Sequence, residues 1–159
     1  MLKQSIIDVA KSYGFSVTNM GDFISGNTIE EAKKLGQWLV KQTKGVYVWG
    51  AETHMSLPRN PGRGGRNQSF ALELATQIQT YSNIIVLLAG TDGNDGNTND
   101  AGAIIDGETI KRGEFKKKSV EQCLNEANAG EFLSASNDIL TLGVTGTNVM
   151  DIIIAMIWD

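Results

Sequence analysis

Apolar positions change their period several times along this chain. Leu2, Ile6, Val9 and Ala10 fall at helical spacing over residues 2–12, and Gly14 ends that pattern. Phe15 and Val17 then alternate as in a short strand. Thr28 followed by Glu31 has the form of a capping box. From there to Thr43, Ile29, Ala32, Leu35, Leu39 and Val40 share one face, the signature of an amphipathic helix. Gly45 closes it, and residues 46–49 read as a strand. Residues 58–66 hold both prolines and three of the four arginines, a loop composition. A helix is predicted over 68–81, with Phe70, Leu74, Ile78 and Tyr81 along one stripe. Residues 84–89 are unbroken apolar between turn residues, as in a central strand buried on both faces. Residues 111–128 are charged and then helical, with Val120, Cys123, Leu124 and Ala127 facing inward. Residues 149–158 form a second apolar run, read as an interior strand, with a buried helix as the alternative. Helices alternate with strands, without repeat or long linker. The expected fold is a single α/β domain over 1–159, with a largely parallel or mixed sheet flanked by helices.

Composition narrows the function. The net charge of −4 excludes a nucleic-acid partner held by bulk positive charge, and leaves a local basic patch open. One cysteine excludes an intrachain disulfide, and with one histidine it excludes an ordinary zinc site. Cys123 reads as a small core residue and Lys116–118 as a solvated run. No apolar run reaches the roughly 18 residues of a membrane helix, and no signal-peptide core stands at the N-terminus. A cytoplasmic protein with no membrane partner is expected.

Four polar stretches can carry chemistry. Arg63, Gly64, Gly65, Arg66, Asn67 and Gln68 stand at a helix entry, where free N–H groups, a partial positive charge and arginine forks suit an oxyanion. No Gly-Lys-Ser/Thr follows, so this is not a Walker A loop, and a third glycine for a dinucleotide fingerprint is missing. A surface loop with solvated arginines is the other reading. Gly90 to Gly96 follows the buried run directly, where α/β sheets bind ligands. Asp92 and Asp95 there can hold Mg²⁺ or orient a hydroxyl, or simply make Asx turns. Asn97 and Ala103 at the sixth and twelfth positions from Asp92 exclude an EF-hand. Thr145 to Asp151 leads into the last apolar run, so Asp151 is either near a site or bonded to backbone amides. Gly50-Ala51-Glu52-Thr53-His54 offers Glu52 as ligand or base, while the lone His54 is discounted as incidental.

Taken together and in this order, the four stretches resemble the MOFRL domain, the C-terminal domain of two-domain glycerate 2-kinases, some of them known as putative hydroxypyruvate reductases. Gly64 to Leu72 and Gly90 to Gly96 carry the likeness most specifically. The resemblance implies transfer of the γ-phosphoryl of ATP to a hydroxyl of D-glycerate, with Mg²⁺. The site would lie in a cleft against a larger N-terminal Rossmann-like domain, which this chain would lack. By motif position, Arg66, Asp92 and Asp95 would be the catalytic group, with Asp92 and Asp95 nearest the metal. Glu52, Gly64, Gly65, Asn67, Thr91, Thr147 and Asn148 would bind or support the substrate. The chain departs from the family pattern at Ala51, His54 and Val144. It departs again at Asn99-Asp100, where the acid is moved by one position, and at Asn128-Ala129-Gly130, which lacks an acid.

These features support three readings: half of a split kinase working with a separately encoded N-terminal domain, a non-catalytic module for an anionic sugar acid or nucleotide, and a self-associating structural domain. The first two require residues 64–68, 90–96 and 145–148 to meet at one edge of the sheet.

Overall fold

The computed structural model describes residues 2–21 and 23–159. The chain begins with α1 (Leu2–Ser12), whose buried Ile7 anchors it to the sheet. Two short strands follow, β1 (Val17–Asn19) and β2 (Ile24–Asn27), then α2 (Thr28–Leu39) and the long β3 (Gly45–His54). α3 (Arg66–Ile78) crosses to β4 (Ile84–Gly90), which pairs with β5 (Gly102–Asp106). Three short helices, α4 (Thr109–Phe115), α5 (Val120–Asn125) and α6 (Ala129–Ala135), precede β6 (Ile139–Leu140) and the last strand, β7 (Asp151–Ile157).

The strands form one seven-stranded sheet in the order β1-β3-β7-β4-β5-β6, with β2 also pairing β3. β1 and β2 run parallel to β3, while β7 is antiparallel to both β3 and β4. Of the two sheet types the sequence left open, the fold takes the mixed one. β7 is a strand and not a helix because it is buried from both faces. Ile153, Ala155 and Ile157 enter the larger core beside Leu72, Leu74 and Phe132. Ile152 faces the smaller core with Ile7 and Val48, where Ile154 and Met156 are half-buried. Such two-sided burial erases the alternation of a half-exposed strand.

Several sequence-derived boundaries shift. The first strand lies at 17–19, not 15–17. The N-cap of α2 is Asn27, whose side chain accepts from Ile29 N and Glu30 N. Thr28 cannot serve as that cap, because its buried hydroxyl donates to Thr53 Oγ1 and His54 O. α2 also stops at Leu39, short of Thr43. α3 starts two residues earlier than expected and ends at Ile78, so Tyr81 lies outside it, 40% exposed. Residues 149 and 150 precede β7 and are exposed. β5, β6 and α6 carry no periodic signal long enough to be read. Cys123 is buried, and burial pushes its thiol above the ordinary range, as a core cysteine requires. Among the described residues no helix is long and apolar enough to cross a membrane.

Candidate active-site cleft

The antiparallel insertion of β7 decides where the polar loops meet. The first residue of β7, Asp151, is in register with Ala51 near the end of β3 and with Gly90 at the end of β4. The ends of β3 and β4 and the start of β7 therefore share one edge. An open cleft of about 580 Å³ lies there. Its walls include Thr53 and His54 from β3, Gly64 to Asn67 at the start of α3, Thr91, Asp92 and Asn94 to Asn97 after β4, and Asn148 with Asp151. The three expected loops do converge.

The α3 N-terminus was expected to receive an external anion, and the protein fills it from within. Gly65, in the cap position, offers no side chain to the helix amides. Asp95 reaches over instead. Its Oδ1 accepts from Asn67 N at 3.0 Å and from Asn67 Nδ2 at 3.3 Å, and its Oδ2 accepts from Gln68 N at 2.8 Å. The contact is so close that a Cβ on Gly65 would overlap Asp95 and Gly96. Asp95 is buried, and burial pushes its carboxyl above the ordinary carboxylate range, with nearby Asp151 adding to the rise. The helix amides oppose that shift without cancelling it.

Arg66 occupies the first turn of α3 and lines the cleft. Its Nε donates to Asp151 Oδ2 at 2.9 Å, with the arginine side chain 40% exposed and the aspartate 8%. No hydrogen bond among the described residues uses the two terminal guanidinium nitrogens, which leaves them to a ligand. Of the two roles open to Asp151, the structure assigns it to the site, as the anchor of Arg66.

Asp92 is half-buried, and its Oδ1 accepts from Asn94 N at 3.0 Å. The 141–149 loop is tied over it: Thr145 N donates to Asp92 O, and Val149 N donates to Thr91 Oγ1 at 3.0 Å. Among the described residues, no three of His, Cys, Asp and Glu cluster as a metal site. The sequence pointed to Asp92 with Asp95 as metal carboxylates, yet both Asp95 oxygens are engaged by α3. Asp92 and Asp151 both reach the end of β4, their Oδ1 atoms 3.2 and 3.6 Å from a Cβ built on Gly90. Glu52 is exposed on β3 in register with Ser25, and neither it nor Thr147 belongs to the cleft lining. His54, discounted from sequence, does line it. A lone histidine without a partner nearby in sequence gives no signal, and the charged residues it shares the cleft with lie farther along the chain; β3, read as ending at Trp49, continues to His54 and carries it there.

A sequence profile of the MOFRL family matches residues 45–151. The chain is 33% identical to a D-glycerate 2-kinase of Thermotoga maritima, an alignment covering 97% of this chain and 40% of that protein. It is 41% identical to a glycerate 2-kinase of Pyrococcus horikoshii over 70% of this chain and 25% of that one. A crystal structure of a glycerate kinase from Thermotoga maritima superposes with a TM-score of 0.87 at 30% identity, covering 95% of this chain and 38% of that chain. The chain thus spans two fifths or less of the length of these relatives.

Proposed function

The chain belongs to the MOFRL family, and we propose that it forms one wall of a glycerate 2-kinase site, serving phosphoryl transfer from ATP to D-glycerate opposite a separate N-terminal domain. The observation that carries this reading is the cleft in which Arg66, fixed by Asp151, keeps its terminal donors free, and which Asp92 also lines. Arginine offers forked donors that match a carboxylate or phosphate.

In the reaction, the glycerate hydroxyl oxygen bonds to the γ-phosphorus, the bond to the bridging oxygen breaks, ADP leaves, and the hydroxyl proton goes to a base or to solvent. Such chemistry needs positioning and charge neutralisation above all. Arg66 would hold the anionic end of the substrate. Asn67, Thr91 and Asn148 would orient it, while Gly64 and Gly65 line the cleft and let Gly130, Asp95 and Gly96 pack against the start of α3. Asp95 acts one step back by fixing the α3 N-terminus that carries Arg66. Mg²⁺ is held elsewhere by one or two carboxylates together with substrate phosphates. Asp92 and Asp151 fit that donor set, because each lies beside Gly90 and keeps an oxygen outside the hydrogen bonds of the described residues. Bound there, the ion would neutralise charge on the phosphoryl oxygens.

A coupled assay for ADP release from ATP and D-glycerate tests this reading. The chain alone should give no turnover above its Arg66→Ala variant, since it spans two fifths or less of the length of its kinase relatives. Mixed with a separately produced N-terminal portion of the Thermotoga maritima relative, it should turn over, and Arg66→Ala should abolish the gain. Ligand binding without turnover in the mixture would make the chain a binding module instead. Turnover by the chain alone would remove the need for a second domain.

A further inference from the structure

We propose that His54 is a second anion-binding side chain of the cleft, donating a ring N–H to the carboxylate or phosphate oxygen that Arg66 also holds. The inference rests on the cleft being an anion site, as above, and names a donor that the reading did not include. Backbone donors at this end of α3 are partly used up within the protein. A helix N-terminus beside a glycine-rich loop usually supplies backbone N–H groups to an anion. Here the amides of Asn67 and Gln68 are already taken by Asp95. The ionisable side chains lining the cleft are Asp92, Asp95, Asp151, Arg66 and His54. Three of them are acids, and Arg66 spends its Nε on one of those acids. Beside the free terminal nitrogens of Arg66, the imidazole is the other ionisable side chain among the described lining residues that can donate to an anion.

The residue is also held as a binding group should be. Its backbone is fixed at the last position of β3, in register with Asn27 of β2. Fully buried Thr28 donates to the His54 carbonyl at 3.1 Å and to Thr53 Oγ1 at 2.9 Å. The ring itself is exposed, and no hydrogen bond among the described residues uses either nitrogen. A rigid root beneath an uncommitted ring lowers the ordering cost of binding.

His54 is the single histidine of the chain, so its ring protons give one NMR signal to follow. D-glycerate and ATP are titrated separately, which distinguishes a carboxylate from a phosphate as the bound group. At least one should move the ring signal saturably. His54→Ala should weaken that ligand about tenfold, the change expected for one hydrogen bond to a charged group. His54→Gln, which keeps an N–H donor, should recover part of the loss, and neither variant should change the melting temperature. If His54→Ala binds like wild type while Arg66→Ala does not, His54 has no such role and the anion site stands. If neither ligand moves the ring signal of the wild-type chain, alone or mixed with the N-terminal portion, and the mixture gives no turnover, both ideas fall.

Discussion

Replacing Asp95 by Ala tests the most specific structural claim made of the cleft, that this carboxylate is the trans cap of α3. The variant strands the N–H groups of Asn67 and Gln68, which Asp95 receives at 3.0 and 2.8 Å. Each buried donor left without a partner costs about 1–3 kcal/mol. Part of that is offset, because the substitution also removes a carboxylate that burial disfavours and because water can enter the open cleft. A net loss of about 2–3 kcal/mol is expected at neutral pH, at or above the upper end for a single lost helix cap because two donors are stranded at once. In a domain of this size that lowers the melting temperature by about 4–12 °C. Urea denaturation followed by circular dichroism reads the same quantity. The sign of the pH dependence adds a second check. Burial raises the folded-state carboxyl above its unfolded value, so the folded chain takes up this proton first as pH falls. Wild type therefore gains on Asp95→Ala as the pH drops from neutrality toward about 3.9, the unfolded value. A loss below about 0.5 kcal/mol, the surface level, would refute the cap, and a stability gap that narrows in acid would refute the burial argument.

Two further outcomes follow from the packing. Ile153 is 1% exposed between Trp49 and Leu88 in register, so Ile153→Ala should cost about 2–5 kcal/mol, measured by the same denaturation; a loss at the surface level would deny β7 its interior place. Arg66→Ala should weaken anion binding by about 1.5–3 kcal/mol in calorimetry. It should also destabilise the fold by stranding the buried Asp151 carboxylate, and adding Asp151→Asn should restore stability but not binding. Equal stability of the single and double variants would show that the pair is not coupled.

The legible parts of the fold were those with a long, one-sided or two-sided apolar pattern. α2, β4 and β7 were readable because their burial imposes a period or removes it. β5 was hidden because its five residues, Gly102 to Asp106, sit directly after a polar loop and are too few to declare an alternation. β6 has only two residues, and its pairing with Gly102 and Ala103 exists only in three dimensions. The site loops were legible as polar, glycine-rich segments next to apolar ones. The division of labour among their acids was not. Asp92 and Asp95 look alike in sequence, three residues apart, and only the approach of α3 commits one of them to the helix. Asp151 belongs to an apolar run in sequence and to the cleft in space.

The register of β7 explains why the site and the core cannot be separated. Six of its seven residues pack apolar side chains into one core or the other, and the seventh, Asp151, is delivered to the cleft by that same pairing. A slip of one residue would turn every side chain to the opposite face. It would then present Ile152 where Arg66 needs a carboxylate. The chain enters the strand through Met150 at φ 92°, a conformation that costs a non-glycine residue about 1–3 kcal/mol. Thr91 N, donating to Met150 O, helps hold that bend. The strain sits immediately before the residue that fixes Arg66, so the hydrophobic register of the last strand both secures the bend and sets the geometry of the charged pair.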